Sequence, residues 1–189
     1  VSVQESLVKV NQDIRTEFPK AALDEAAGLP KDPDLSDFTG RKDLRSMDFV
    51  TIDGAKARDF DDAICVLPEE NGYRLYVAIA DVAHYVPQDS ALDEEARLRG
   101  NSYYFPQSVE PMFPEALSNG LCSLRPEVPR LAMVAEMGYS GQGLPRMDDV
   151  AFYPAVIESK FRLTYEQVKA AVLDQEQQTR TDLKAILPI

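Results

Sequence analysis

Thr51-Ile-Asp-Gly-Ala-Lys-Ala-Arg-Asp-Phe-Asp-Asp-Ala-Ile64 is the stretch that decides how this chain folds. It contains four aspartates within ten residues: Asp53, Asp59, Asp61 and Asp62. A β-prone run precedes them at 49–52, and a second follows at 63–67. Because a loop between two strands can fold its side chains toward one point, the sequence predicts a cluster of carboxylates.

Such a cluster costs stability unless a cation neutralises it, since like charges repel. Carboxylate oxygens suit Mg²⁺, which keeps several waters and commonly binds a few carboxylates together with substrate phosphates. Two such ions about 3.5–4 Å apart would stabilise both the attacking and the leaving oxygen of a phosphodiester. The alternative is a solvated acidic loop. Phe60 and the apolar run from Ala63 count against it, because they draw the loop toward a core.

Other catalytic and metal-binding arrangements have less support. A calcium loop starting at the second aspartate fails on spacing, because Ala63 and Ile64 occupy its fifth and sixth positions. The single histidine, His84, is expected in the core or hydrogen-bonded at the surface, and no Ser or Cys motif accompanies it. Cys65 and Cys122 form no metal or redox motif and are expected to be buried free thiols.

The wider pattern predicts an α+β fold. An Asn-Gly pair at 71–72 between two β-prone runs is typical of a hairpin. Helices are expected at 21–27, after an N-cap at Ser90, and over 165–173 from a Thr164/Gln167 capping box. Further strands are expected at 73–79, 102–105, 131–139 and 150–157. Because the strands cluster in hairpins and the helices stand apart, alternating βαβ units are not expected.

Composition sets limits on the partners. No apolar run is long enough to cross a membrane, so no membrane association and a cytoplasmic location are expected. The net charge is −12, with 32 acidic against 20 basic residues, which counts against nucleic acid because phosphate binding needs clustered Lys and Arg. Two circumstances weaken this objection: a metal would neutralise the acidic cluster, and basic surface could lie elsewhere in a longer parent protein.

The acidic stretch resembles the signature of the RNB catalytic domain, the nuclease core of the ribonuclease II / ribonuclease R family. Six more stretches resemble this family in the same order: Val77-Ala-Ile-Ala-Asp-Val-Ala-His-Tyr-Val86, Leu92-Asp-Glu-Glu-Ala-Arg-Leu-Arg-Gly100, Tyr104-Phe-Pro106, Pro111-Met-Phe-Pro-Glu115, Leu117-Ser-Asn-Gly-Leu-Cys-Ser-Leu124 and Arg162-Leu-Thr-Tyr165. The resemblance covers about Arg41–Leu173, and an ordered series of motifs is far more specific than any one of them. The residues of these motifs resemble the ribonuclease R branch of the family more than the ribonuclease II branch.

This resemblance implies roles for the four aspartates. Asp53, Asp59, Asp61 and Asp62 would hold Mg²⁺, or Mn²⁺ in its place, as two ions when substrate is bound. Asp61 and Asp62 are the expected catalytic residues, and Asp61 is expected to matter most for chemistry and less for RNA affinity.

The resemblance also implies RNA-binding roles for two tyrosines. Tyr104 would stack on a base, and Tyr165 would lie near the 3′ nucleotide. Stacking suits this task because every base has a flat face. Tyr103 and Tyr104 are adjacent in an expected strand and would point to opposite faces, so one of them is expected in the core. From the residues alone, each tyrosine would be assigned to packing.

The activity implied is Mg²⁺-dependent hydrolysis of RNA from a single-stranded 3′ end, releasing nucleoside 5′-monophosphates. Residues 1–46 are expected to lead into the catalytic domain. Residues 47–189 are expected to form the N-terminal portion of an RNB-type domain, with a mixed or antiparallel sheet and flanking helices, incomplete at its C-terminal end and inactive alone. Additional RNA-binding domains are expected in the full-length parent.

Two alternatives belong to other classes of protein. One is a non-catalytic RNA-binding module on the RNB fold, which the intact aspartates count against. The other is an acidic interaction domain, supported only by the charge.

Overall fold

The computed structural model describes residues 2–184, without the side chain of Leu35. Its α-helices are α1 (Val3–Asn11), α2 (Lys20–Gly28), α3 (Val82–Tyr85), α4 (Ala91–Arg99), α5 (Tyr165–Val168) and α6 (Gln177–Asp182). Its strands are β1 (Lys42–Asp43), β2 (Val50–Asp53), β3 (Asp62–Glu69), β4 (Gly72–Ala80), β5 (Tyr103–Tyr104), β6 (Val109–Glu110), β7 (Pro129–Ser140), β8 (Pro145–Glu158) and β9 (Phe161–Thr164). A 3-10 helix spans Leu35–Phe38, and π-helices span Ala116–Leu121 and Lys169–Leu173.

The chain divides into two compact units. A helical unit comprises the chain up to Lys31 together with Val82–Leu121, and a sheet unit comprises Asp32–Asp81 and the chain from Cys122 onward. Within residues 2–184, no helix has both the length and the apolar character needed to cross a membrane.

The helical unit is organised around α2 and α4. Ser90 caps α4, its hydroxyl accepting a hydrogen bond from the Asp93 backbone N–H at 3.3 Å. On the inner face of α4, the Arg99 guanidinium donates to the Glu95 carboxylate at 2.9 Å, and both side chains are buried. A buried charge needs such a partner to be tolerated. The same Arg99 also donates to the backbone carbonyl of Glu17, which ties the chain before α2 to α4.

The sheet unit contains a seven-stranded sheet within the described residues, in the order β1-β8-β7-β4-β3-β2-β9. The β1/β8 and β2/β9 pairs are parallel and the others antiparallel, so the sheet is mixed. At the β3–β4 turn, Gly72 has φ +150°, and a Cβ there would lie 1.9 Å from the Tyr139 carbonyl oxygen, so only glycine fits. Phe49, Thr51, Cys65 and Ile157 are among the buried residues of this unit.

Most of the expected elements are confirmed. The strands expected at 49–52, 63–67, 73–79, 131–139 and 150–157 are β2, β3, β4, β7 and β8, and the helices expected at 21–27 and after Ser90 are α2 and α4. A mixed sheet with helices agrees with the expected α+β class. Both cysteines are buried free thiols, as expected.

One expectation on element length was wrong, and one helix differs in type. The strand expected at 102–105 is only the two-residue β5, because its partner β6 is equally short. The helix expected over 165–173 is confirmed in its extent and in its Thr164/Gln167 capping box, but its second half is a π-helix and not an α-helix. The domain boundary at 46/47 stays a prediction.

Candidate active site

Two strands position the ends of the acidic stretch. Asp53 is the last residue of β2, and Asp62 is the first residue of β3. The two strands are antiparallel neighbours, with Val50 opposite Ile64. The intervening chain holds Asp59 and Asp61, so one strand-to-strand connection carries all four carboxylates, as the sequence predicts.

The carboxylates lie close enough to act on one another. The pKa of Asp61 is raised to about 6, first by burial and then by the negative charges of Asp59, Asp62 and Asp53. Asp61 as a residue nevertheless remains exposed at the surface. The pKa of Asp53 is also raised, by burial and by Asp62 and Asp59, while the positive charge of Arg162 opposes the rise.

One carboxylate oxygen lacks a partner. Oδ2 of Asp53 is buried and accepts no hydrogen bond from any group in the described part of the chain. A buried acceptor without a partner costs free energy that a cation would offset. Four acidic oxygen donors beside such an atom are chemically suited to Mg²⁺ or Mn²⁺.

The carboxylates are neighbours but do not converge. Among residues 2–184, no group of three or more His, Cys, Asp or Glu side chains is arranged to hold a metal ion. The donor chemistry therefore fits a divalent cation, but waters or substrate phosphates would have to supply part of the ligand set, as is usual for Mg²⁺.

Arg162 is a site residue that residue-level reasoning missed. Its Nη2 donates to the Gly54 carbonyl oxygen at 2.7 Å, directly after Asp53, and its guanidinium lies 5.5 Å from the centre of the Phe60 ring. A cation at this place partly offsets the charge of the cluster. The only signal in the sequence was its position in the stretch Arg162–Tyr165, which resembles the family.

The two predicted RNA-binding tyrosines are exposed. Tyr104 is 64% exposed on β5, whereas its neighbour Tyr103 is half-buried, so Tyr104 is the member of the pair that faces solvent. Tyr165 is 61% exposed at the start of α5. Tyr104 belongs to the helical unit, and Tyr165 belongs to the sheet unit with the aspartates. His84 lies at the surface with its ring edge-on to Tyr85.

The sequence profile of the RNB domain family matches residues 41–187. The chain belongs to the RNB domain family. This RNB chain is 49% identical over 173 residues to ribonuclease R of Vibrio cholerae, covering 91% of the chain and 21% of that protein. It is 52% identical over 152 residues to ribonuclease R of Escherichia coli K12, covering 80% of the chain and 18% of that protein. The RNB chain thus spans about a fifth of the length of each of these two relatives.

A solved structure shares the fold of the RNB chain closely. Ribonuclease R of Mycoplasma genitalium, in complex with double-stranded RNA, superimposes with a TM-score of 0.85 and 37% identity, over 92% of this chain and 31% of that one. The expected family and the expected fold are both confirmed by these comparisons.

Proposed function

We propose that the protein to which this RNB chain belongs is a Mg²⁺-dependent 3′-to-5′ exoribonuclease, which hydrolyses RNA from a single-stranded 3′ end and releases nucleoside 5′-monophosphates. The observation that carries the proposal is the carboxylate cluster between β2 and β3, with its unpartnered Asp53 oxygen and its perturbed Asp61. The relatives named ribonuclease R support the nuclease class, and the Mycoplasma genitalium enzyme was solved with RNA bound.

The chain's own residues divide the work. Asp53, fixed at the end of β2, would hold the cation together with Asp59, Asp61 and Asp62. When bound, the cation would stabilise charge on the phosphodiester oxygens and make a bound water more acidic. Asp61, whose pKa in the absence of metal is raised to about 6 by burial and by the other carboxylates, gains most from a neutralising cation and would orient the attacking water as well as hold the cation.

Two exposed rings would bind the substrate. Tyr104 and Tyr165 each offer an aromatic face on which a base of any identity can stack. An exonuclease that moves along a strand needs RNA binding that does not depend on base identity. Further RNA-binding domains in the parent would supply the phosphate contacts.

The test is performed on the full-length parent with 5′-labelled RNA. Stepwise shortening from the 3′ end in Mg²⁺, absent in EDTA, is the expected result. Asp61→Asn should abolish shortening while RNA binding stays intact, because it keeps the size of the side chain and removes its charge. Asp148→Asn, which neutralises an exposed acid on β8, is the matched control and should behave like wild type. Equal shortening in EDTA would contradict the proposal.

A non-catalytic RNA-binding module is the second candidate. One observation favours it: in the described residues the carboxylates do not converge on a metal position. The same assay separates the two candidates, because a binding module retains RNA without shortening it in any metal.

A further inference from the structure

Hydrogen bonds from other segments hold the backbone of the second half of the acidic stretch. The Phe60 N–H donates to the Ser123 hydroxyl at 3.2 Å, and the Ser123 hydroxyl donates to the Arg58 carbonyl oxygen at 2.8 Å. The Leu124 N–H donates to the Phe60 carbonyl oxygen at 2.8 Å, and the Ala80 N–H donates to the Asp61 carbonyl oxygen at 2.9 Å. These bonds fix the main chain on both sides of Asp59 and of Asp61.

In two of these four hydrogen bonds one partner is the side chain of Ser123, and the other two join backbone groups only. The Ser123 hydroxyl accepts from the residue after Asp59 and donates to the residue before it, so a single oxygen bridges the two peptide groups that flank this carboxylate. Ser123 is 0% exposed, so water is not at hand to replace either bond. Loss of the hydroxyl would leave a buried N–H without its acceptor.

Ser123 is itself held firmly. The Arg130 Nε donates to the Ser123 carbonyl oxygen at 3.0 Å, and Arg130 is buried. The next residue is fixed as well, because the Ser159 hydroxyl donates to the Leu124 carbonyl oxygen at 2.8 Å. A side chain on so well-bonded a backbone can impose its geometry on the acidic stretch.

We propose that Ser123 is a positioning residue, which holds the backbone that carries the Asp59 carboxylate in place for cation binding through its two bonds to the main chain. This inference rests on the proposed function and deepens it. It assigns a role to one residue of the stretch Leu117–Leu124, which resembles the family and which the carboxylates alone did not explain.

Ser123→Ala should therefore lower the affinity for the cation by more than its effect on the stability of the fold accounts for. Loss of the groups that orient metal ligands typically lowers metal affinity or activity by about 10- to 100-fold. For the full-length parent, we expect the Mn²⁺ dissociation constant to rise and kcat to fall within that range, while KM for RNA stays near wild type. Ser123→Cys, whose thiol is a weaker donor and acceptor, should lie between wild type and Ser123→Ala.

Ser159→Ala is the matched control. It removes a hydroxyl that is equally buried and also bonded to a carbonyl oxygen, but that makes no bond to the acidic stretch. Its thermal stability should also fall, but by less than that of Ser123→Ala, because one hydrogen bond worth about 1 kcal/mol is lost and no buried N–H is left without its acceptor. Its Mn²⁺ affinity and kcat should stay within about twofold of wild type. Equal losses of Mn²⁺ affinity in both variants would show that Ser123 acts only on stability, and the proposal would be overturned.

A measurement on the wild type covers the case in which Ser123→Ala does not fold. Hydrogen exchange at the Phe60 amide should be slow in the native protein, since the Ser123 hydroxyl protects it. Rapid exchange there would overturn the proposal without any variant. Absence of Mn²⁺ binding and of RNA shortening in the wild type would instead refute the proposed function, so the two failures are distinguishable.

Discussion

Under the proposed function, acidification should weaken the binding of Mg²⁺ or Mn²⁺ through one carboxyl group, that of Asp61. Its pKa in the metal-free protein is about 6, raised from 3.8 by burial and by its acidic neighbours. A metal ligand must be deprotonated, so the proton and the cation compete for this group. At pH 8 the carboxyl is almost fully ionised, whereas at pH 5 only about one molecule in eleven carries the charge.

The apparent dissociation constant should therefore rise about tenfold between pH 8 and pH 5, with most of the change below pH 6. In the metal-free protein, the free energy of unfolding changes with pH in the opposite sense to the cation affinity. Between about pH 4 and pH 6 the folded state keeps the Asp61 proton that the unfolded chain has lost, so this group's contribution to stability falls as the pH rises through that window. Bound cation should offset the loss above pH 6.

Isothermal titration of Mn²⁺ at pH 5, 6, 7 and 8 and constant ionic strength measures the effect. Asp61→Asn should bind more weakly at pH 8 and lose most of the pH dependence above pH 5, whereas the control Asp148→Asn should retain it. An affinity that is constant from pH 5 to 8 in the wild type, or the same pH dependence in Asp61→Asn, would refute the reasoning.

Three further predictions concern grip, packing and thiol chemistry. In the full-length parent, Tyr104→Ala should change the length of the final RNA product, because stacking contributes about 1–3 kcal/mol per base. A sequencing gel measures this length, and Tyr104→Phe should give the wild-type product. An unchanged product from Tyr104→Ala would remove this tyrosine from the site. Phe49→Ala, at a fully buried position, should lower the free energy of unfolding in urea by about 3–5 kcal/mol. Phe152→Ala, at a position that is 75% exposed, should lower it by about 0.5 kcal/mol or less. Equal losses in the two variants would contradict the packing. Burial raises the pKa of Cys122 to about 12, so a thiol reagent at pH 8 should label it only after unfolding, and rapid labelling of the native protein would disprove its burial.

The sequence predicted the strands well where pairing is local. The β3–β4 hairpin depends on an Asn-Gly turn and on two adjacent β-prone runs, and both are visible in a short window. Strand β9 was not predicted, because Phe161–Thr164 is short and lies beside β2 only through a parallel pairing across more than a hundred residues. Helix α1, whose N-cap is Ser2, was not predicted.

The candidate site divides in the same way. Its carboxylates are close together in sequence, so their spacing marked them as candidate metal ligands beside the alternative of a solvated acidic loop, and the family resemblance decided between the two. Ser123 and Arg162 act from 63 and 108 residues away along the chain, and nothing in their own type marks them. Only the folded chain shows which backbone groups they hold. Long-range side-chain to backbone bonds are thus the part of the site that sequence patterns do not show.

The charge of the chain explains what this region can and cannot contribute to RNA binding. Ion pairs with carboxylates occupy the guanidinium groups of Arg15, Arg41, Arg45, Arg74, Arg97, Arg99, Arg130 and Arg146. A guanidinium held by a carboxylate has less positive potential to offer a phosphate, and the net charge of −12 adds a general repulsion. Under the proposed function, this region therefore supplies the carboxylate chemistry and aromatic faces for bases. Most of the salt-dependent affinity for phosphates must then come from other regions of the parent, so the salt dependence of RNA binding should change little when Tyr104 or Asp61 is replaced.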